Sequence, residues 1–426
     1  LALTLFGTLF LALFLGIPIA VSVGIAVLVA LVTQDTNTSY VVVAQRMFTS
    51  VDSFPFMAVP FFILAGNLME KGGISKRIIN FAAVLLGKLP ASLSVINTAA
   101  SGFFGAISGS NPATVAAIGG LMVPGMIKKG YPKENAAAVA AASGTLGVII
   151  PPSISMVTYG VVASVSIGTL FIAGLVPGIL LALGIILTGV IINKKYELQS
   201  KEEISFSRIF ASFKDAIWAL FMPFLILGGI YGGVFTPTEA SAVACLYAFI
   251  VSKYIYKEIK YADLKSIFAQ SATNTALIMF VITLSAPFSW LMTSANVPAN
   301  LAESILAVTG SKYLLLLIVN ALLLFLGCFL ETQSIILLMT PMLLPLAMQL
   351  GIDPVALGLI IIVNTSVGMI TPPMAVNIFV ASTISNVSIE KISKKIIPFF
   401  IVEVVVLLIM TYFSGILMWL PNLLHL

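Results

Sequence analysis

Residues 108–120 read SGSNPATVAAIGG. They sit inside an apolar stretch, yet their first five positions are Ser, Gly, Ser, Asn and Pro, residues that interrupt helices. The medium makes this interruption decisive. The chain has 426 residues, 60% of them hydrophobic and 9% charged, with a mean hydropathy of +1.13. So few charges cannot cover that much apolar surface in water, and the composition reads as a polytopic membrane protein in a lipid bilayer. A loop facing hydrocarbon leaves N–H and C=O groups unpaired at a cost of several kcal/mol each, so irregular backbone at this depth must line protein or water.

Working outward, polar breaks delimit spans near 4–32, 54–70, 134–163, 169–192, 215–231, 238–252, 266–293, 355–384 and 396–420. The first run exceeds the roughly 20 residues that one bilayer needs, so it is expected to tilt, or to bend at Pro18. No basic run precedes it and the first charge is Asp35, which reads as a retained span rather than a cleaved signal. Two further apolar segments, 89–126 and 314–348, are broken in the middle. If both are re-entrant hairpins, 19 of the 21 Lys and Arg fall on one side and only Arg46 and Lys312 on the other. That asymmetry predicts a cytoplasmic N-terminus and a periplasmic or extracellular C-terminus. The net charge of +5 then records topology and gives no reason to expect nucleic acid. Cys245 and Cys328 lie in apolar segments and read as buried packing groups.

The halves resemble each other. At a spacing of 221, VPGMIKKGYP (123–132) falls on LPLAMQLGID (344–353), and SGTLGVIIPPS (143–153) on NTSVGMITPPM (364–374). Pro124, Gly130, Gly147, Pro151, Pro152 and Pro177 thereby meet Pro345, Gly351, Gly368, Pro372, Pro373 and Pro398. With small gaps NLM (67–69) meets WLM (290–292), and Pro18 meets Pro237. The first copy is basic at IKKGYPKE whereas its partner MQLGIDPV has no Lys or Arg, so the copies face opposite sides. The fold class is therefore an all-α polytopic membrane protein, an inverted-topology repeat with two re-entrant helical hairpins and two broken helices, the pattern of secondary transporters. Residues 1–53 form a first scaffold span and external loop. Residues 54–192 form the first repeat, with hairpin 89–126, broken helix 134–163 and span 169–192. Residues 193–237 form a cytoplasmic loop and connecting span. Residues 238–426 form the second repeat, with hairpin 314–348, broken helix 355–384 and span 396–420.

Four breaks result: Ser108, Gly109, Ser110, Asn111 and Pro112 at one tip; 144–153; Glu331, Thr332, Gln333 and Ser334 at the other tip; and 364–373. Each leaves free carbonyls at one helix end and free N–H groups at the next. Carbonyls with Ser, Thr and Asn oxygens suit Na⁺, and helix N-termini suit a carboxylate. Pro112, Pro151-Pro152 and Pro372-Pro373 are placed to open helices. One tip paired with one break gives two pseudosymmetric cation sites. Ser110, Pro112, Pro151, Ser153, Gln333 and Pro372 are candidates to face substrate between them. Glu331 is the one acid at a tip and could ligand Na⁺, relay a proton or cap a helix. Glu239 and Glu403 are weaker candidates, Glu239 as a helix-dipole partner, and Asp52 caps or anchors the start of a span. His425, in the tail, has no assigned role. Trp218, Trp290 and Trp419 read as interfacial anchors, and residues 76–90 as an amphipathic arm on the cytoplasmic surface.

DSFPFMAVPFFILAGNLMEKGGI (52–74), SGSNPATVAAIG (108–119), GVIIPPSISMVTYG (147–160), FTPTEASAVA (235–244), LETQSIILLMTPMLLPLA (330–347) and ITPPMAVNIFV (370–380) together resemble the large membrane subunit of the tripartite ATP-independent periplasmic (TRAP) transporters. The resemblance runs from about residue 4 to 420. It implies a periplasmic substrate-binding protein as partner, a separate small four-helix membrane subunit, and a small organic acid as substrate, with the region around 52–69 similar to the sialic acid members. It further implies Na⁺-driven symport by an elevator motion in the bacterial inner membrane. Carried onto this chain, its cation sites comprise Ser108, Gly109, Asn111, Gly144 and Gly147, and Glu331, Thr332, Asn364, Thr365, Ser366 and Gly368. Two alternatives stay open: a standalone Na⁺/dicarboxylate carrier and an ion channel. The sequence has no HExxH pair, no Ser-His arrangement and no GxxxxGK[ST] loop, so an enzyme or an ATPase is not expected.

Overall fold

The computed structural model describes residues 1–33, 39–196, 206–297, 300 and 311–424. Asp35, Lys201 and His425 lie outside them. Every regular element among the described residues is a helix. Five of these are long and apolar enough to cross a membrane: Ile167–Asn193, Ser207–Tyr231, Tyr261–Ser294, Thr332–Gln349 and Ile389–Tyr412. Tyr40–Val51 and Phe54–Lys71, bent by 60°, make a sixth if taken as one span. The remaining apolar helices, Ala2–Phe14, Ile19–Thr33, Tyr313–Gly327, Pro354–Gly368 and Val376–Ser385, are shorter.

The run 1–33 corrects the expectation of one tilted or bent span. It forms two short helices, Ala2–Phe14 and Ile19–Thr33, which pack on each other. The chain reverses at Gly16, whose φ is +79°. The Gly16 N–H donates to Leu13 O at 2.9 Å and the Ile17 N–H to Ala12 O at 3.1 Å. This paired closure ends a helix and needs a left-handed residue, which glycine adopts without steric cost. Pro18 follows the turn, and its carbonyl accepts the Ser22 N–H that starts the next helix.

The same closure recurs at the repeat-related glycines. Gly130 (φ +93°) and Gly351 (φ +66°) each end a helix. Tyr131 N–H bonds Met126 O at 3.1 Å, and Ile352 N–H bonds Ala347 O at 2.9 Å. Proline follows both turns, at Pro132 and Pro354. The repeat seen in the letters is thus a repeat of backbone geometry.

Within each copy a hairpin precedes an interrupted helix. The first hairpin runs from Ser92–Ser108 across a tip to Asn111–Thr114, a π turn at Val115–Gly119, and Gly120–Lys128. Lys133–Ser143, a tight turn at Gly144–Gly147, an irregular link and Ile154–Val162 follow. The second hairpin is Lys312–Gly327 and Thr332–Gln349. Pro354–Gly368, a link and Val376–Ser385 follow it. The leading halves of both interrupted helices are buried almost all round, from Asn135 to Ser143 and from Val355 to Gly368. A helix without a polar face belongs at the centre of a bundle, and the alanines of KENAAAVAAAS let neighbours approach closely.

The arm is the helix Ile74–Leu86. It packs between the first hairpin and the helix Phe206–Tyr231, burying Ile74, Ile78 and Ala82. Arg77 fixes its start, with ion pairs to Asp215 (3.3 Å) and Glu258 (3.2 Å) and its guanidinium 3.8 Å from the Tyr256 ring. Glu239 has the local role its position suggests: it accepts the Thr236 N–H at 2.8 Å while Thr236 Oγ1 accepts the Glu239 N–H at 3.3 Å, a reciprocal helix cap.

Candidate ion and substrate site at the hairpin tips

Each tip packs on the interrupted helix of its own copy, and glycine makes the approach possible. A methyl on Gly147 would collide with the Ser110 carbonyl oxygen, and one on Gly105 would lie 3.0 Å from the Gly147 Cα. In the second copy a methyl on Gly327 would lie 2.9 Å from the Gly368 Cα. Gly105 and Gly327 are 222 residues apart, Gly147 and Gly368 221 apart. The same offsets relate two polar contacts one level deeper: Thr98 Oγ1 to Ser143 Oγ at 2.9 Å, and Asn364 Nδ2 donating to Asn320 Oδ1 at 2.6 Å. The change of offset shows that the second tip is one residue shorter.

The first tip is built by Gly109, whose φ of +59° ends one helix, and by extended Ser110, which starts the next. Pro112 sits in the first turn of the new helix, as expected. Ser108 Oγ lies 3.0 Å from Thr114 Oγ1, which donates to Ser110 O at 2.8 Å. Asn111, fully buried, ties the tip to both interrupted helices. Its Oδ1 accepts the Val148 N–H at 2.9 Å and its Nδ2 donates to Ser366 Oγ at 2.7 Å. Ser366 in turn donates to the Thr145 carbonyl at 2.7 Å. Thr145 and Ser366 are themselves 221 apart. Equivalent residues of two copies can touch only where the pseudo-twofold axis passes, so the axis runs between the two breaks.

At the second tip Glu331 has extended backbone and starts the helix Thr332–Gln349. Thr332, Gln333 and Ser334 are buried. Thr332 Oγ1 reaches the Met369 sulfur at 3.7 Å, and Asn111 Nδ2 reaches that sulfur at 3.3 Å. Met369 therefore joins the tips. Gln333 Nε2 donates to Ser155 Oγ at 3.1 Å, and its Oε1 is without a hydrogen-bond partner.

Two neighbouring cavities mark what this arrangement can hold. A void of about 50 Å³ between the tips is lined by Gly109, Ser110, Asn111, Glu331, Thr332 and Met369 among others. Ser110, Pro112 and Glu331 are shared with a larger cavity of about 350 Å³, whose far wall is Asn67, Glu70 and Asn274. The smaller void has room for an ion or a water; the larger suits a small molecule. Among the described residues, no Lys, Arg or His lines either one.

The candidates divide on this map. Ser108, Gly109, Ser110, Asn111, Pro112, Glu331, Thr332 and Gln333 line one or both cavities. Gly144, Gly147 and Gly368 act through backbone, where the chains approach. The second break is shorter than 364–373, because α-helix persists to Gly368. Asn364 and Thr365 consequently sit in a helical turn: Asn364 faces Asn320, and Thr365 Oγ1 bonds back to Ile361 O at 2.9 Å. Pro151-Pro152 and Pro372-Pro373 lie in the links ahead of Ile154 and Val376 rather than in a first helical turn. Neither Pro151, Ser153 nor Pro372 lines either of these two cavities; Ser153 is buried with Oγ unpartnered and Pro372 is on the surface.

Asn67, Glu70 and Asn274 were not among the candidates. Their one signal in the sequence is polarity inside NLME and NTAL, at the end and in the middle of expected spans.

Two short helical hairpins, each closing on a helix interrupted at a repeat-related glycine, define a transporter architecture. Residues 6–416 match the family described as "Tripartite ATP-independent periplasmic transporter, DctM component". The chain belongs to this family. It is a multi-pass membrane protein and a TRAP transporter large permease component. It is 42% identical over 378 residues to an isethionate TRAP transporter permease of Oleidesulfovibrio alaskensis, covering 88% of this chain and 60% of that protein. Thus it spans about three-fifths of that relative's length. It is 40% identical to a C4-dicarboxylate large permease of Rhodobacter capsulatus (90% of each covered) and 36% identical to a sialic acid large permease of Vibrio cholerae (92% of each). The fold is similar to the Alcanivorax borkumensis YdaH transporter, with a TM-score of 0.62 at 15% identity over 87% of each chain. It is also similar to Neisseria gonorrhoeae MtrF, with a TM-score of 0.58 at 14% identity, covering 89% of this chain and 84% of that one.

Proposed function

We propose that this TRAP permease carries a small organic acid, of the sialic acid or C4-dicarboxylate class, into the cell across the bacterial inner membrane by Na⁺-coupled symport. The observation that carries the reading is the pair of neighbouring cavities at the hairpin tips, which share Ser110, Pro112 and Glu331. The small one offers Asn111, Thr332 and Glu331 oxygens with nearby carbonyls, a set that suits Na⁺. The large one begins at the N-terminus of the helix opened by Pro112, where free N–H groups favour a carboxylate. With no basic residue on either wall, and Glu70 and Glu331 both present, an anion gains its counter-charge from bound Na⁺. Sodium therefore loads before or with substrate.

In this reading the hairpins and interrupted helices of residues 54–192 and 238–426 form the moving part. The wall carrying Asn67, Glu70 and Asn274 belongs to the scaffold, with residues 1–53 and 193–237. An elevator displacement carries the tips past that wall. The acid arrives on a periplasmic binding protein, and a small four-helix membrane subunit flanks the scaffold; the relatives named for isethionate, C4-dicarboxylates and sialic acid support this class of cargo and assembly. The N-terminus is cytoplasmic and the C-terminus periplasmic.

Proteoliposomes containing this chain and its small subunit test the reading. Uptake of a labelled acid should require an inward Na⁺ gradient and the matching binding protein. Equal uptake in choline would remove the sodium coupling, and uptake without the binding protein would make this a standalone carrier.

A further inference from the structure

A third cavity, unused by the site above, lies where the fold-back of residues 1–33 meets the second hairpin. Both sides of the turn at Gly16 contribute to it, and so do the last turn of Lys312–Gly327 and the tip that follows. Its volume is about 290 Å³. Its walls include Phe10, Phe14, Phe325, Phe329 and Met374, and Glu331 is the one charged residue among those that line it. Phe14, Phe325 and Met374 are 79%, 56% and 51% exposed, so a guest can reach the rim from outside the protein.

Glu331 is shared. It lines this cavity, the void between the tips and the 350 Å³ cavity alike. It is exposed, while Thr332, Gln333 and Ser334 beside it are buried. It has no ion-pair partner among the described residues. A carboxylate with that access and no paired cation attracts one, and apolar walls strengthen the attraction over that in water.

The walls decide which cation. A hard metal ion needs a set of oxygen ligands, and the Glu331 carboxylate holds the only side-chain oxygens among the lining residues. A primary ammonium brings three N–H donors, most of which would stay unpaired. A fully alkylated ammonium has none to satisfy. Its apolar substituents suit the walls, and its charge is attracted by phenylalanine ring faces as well as by the carboxylate. Four of the lining side chains are phenylalanine. Phe325 and Phe329 stand with ring centroids 5.2 Å apart and planes tilted by 59°, two adjoining panels of one wall. A lipid acyl chain would match the apolar walls but leave the carboxylate without a partner.

We propose that this cavity is a binding site for a hydrophobic, fully alkylated ammonium ion, and that its occupant competes with sodium at the second tip. The competition follows from the shared side chain: an ammonium that holds Glu331 takes an oxygen ligand from the void between the tips. That half of the inference rests on reading the void as a sodium site; binding of the ammonium does not.

The permease, assembled with its small membrane subunit in nanodiscs, provides the test. The probe is benzyltrimethylammonium, and neopentylbenzene is its uncharged isostere. Benzyltrimethylammonium should raise Tm, and rising Na⁺ should shift the concentration it needs upward. Neopentylbenzene should leave Tm unchanged. Replacing both rings, in the double variant Phe325→Leu with Phe329→Leu, should raise the required ammonium concentration about fivefold or more and leave the response to Na⁺ alone as it was. Glu331→Gln should abolish the ammonium response. No rise with the ammonium, or an equal rise with neopentylbenzene, which would mark an acyl-chain pocket, overturns the site. An unaltered ammonium response in the double leucine variant overturns it too, and decides the matter if Glu331→Gln does not fold. If Na⁺ alone raises Tm yet leaves the ammonium response unmoved, the competition is overturned. If Na⁺ neither raises Tm nor drives uptake, the sodium reading fails, and the ammonium response still decides the cavity.

Discussion

Asn111 joins more of the site than any other side chain described here. Removing its amide leaves the buried Val148 N–H without its acceptor, at about 1–3 kcal/mol, and takes one donor from the Ser366 hydroxyl. Asn111→Ala should therefore raise the Na⁺ concentration needed for half-maximal uptake by about tenfold or more, since 1.4 kcal/mol is a factor of ten. Ser366→Ala should act in the same direction. Unchanged sodium dependence in both would remove them from the site. Gly147→Ala is harsher: its methyl meets the Ser110 carbonyl, a backbone atom that cannot swing aside. We expect it to abolish uptake and to lower Tm in detergent, whereas Gly120→Ala, with open space around it, should leave both unchanged. Asn111 was legible in the sequence because an amide has no reason to sit at mid-membrane except to bond. Asn320 and Asn274 were not, since each falls within a continuous apolar helix and its direction depends on helices far away in the chain.

At the level of elements, the turns were the most readable features. Gly130 and Gly351 precede proline and end helices in both copies, and glycine's freedom at positive φ explains both. Each site has open space or ordinary contact for a methyl, so the cost of alanine is conformational alone, about 1–2 kcal/mol. Gly130→Ala and Gly351→Ala should lower Tm by similar amounts, and the double variant by roughly their sum, because the sites share no partner. A large difference between the singles would mean that the two turns are not equivalent. The Arg77 cluster should contribute less. Its partners Asp215 and Glu258 are about half exposed, so Arg77→Ala should cost about 1 kcal/mol or less in stability. Two element readings failed for local reasons. The run 1–33 looked like one span because Gly16 is a single small residue in a uniform apolar field. The second break is shorter than the polarity of Asn364, Thr365 and Ser366 suggests, because each finds a bond that lets the helix continue.

For the molecule as a whole, composition and the 221-residue repeat carried the fold class, because both depend on many residues together. The identity of the cargo was not legible at that scale. The large cavity takes walls from 54–71, the first hairpin, 261–294 and the second tip, and no single stretch of sequence displays that surface. The orientation of the copies has a direct measurement. Single cysteines at positions 130 and 351, in a background lacking Cys245 and Cys328, should react with an impermeant maleimide from opposite faces of oriented vesicles. Labelling from the same face would refute the inversion.

The hydrogen bonds from Asn111 to Ser366 and from Ser366 to Thr145 cross from one copy to the other, and this has a thermodynamic corollary. An ion that orders the first tip also orders part of the second break, and an ion at the second must return the same free energy to the first. Sodium activation should accordingly be sigmoidal, and severing the crossing at Ser366 should flatten the curve toward independent sites.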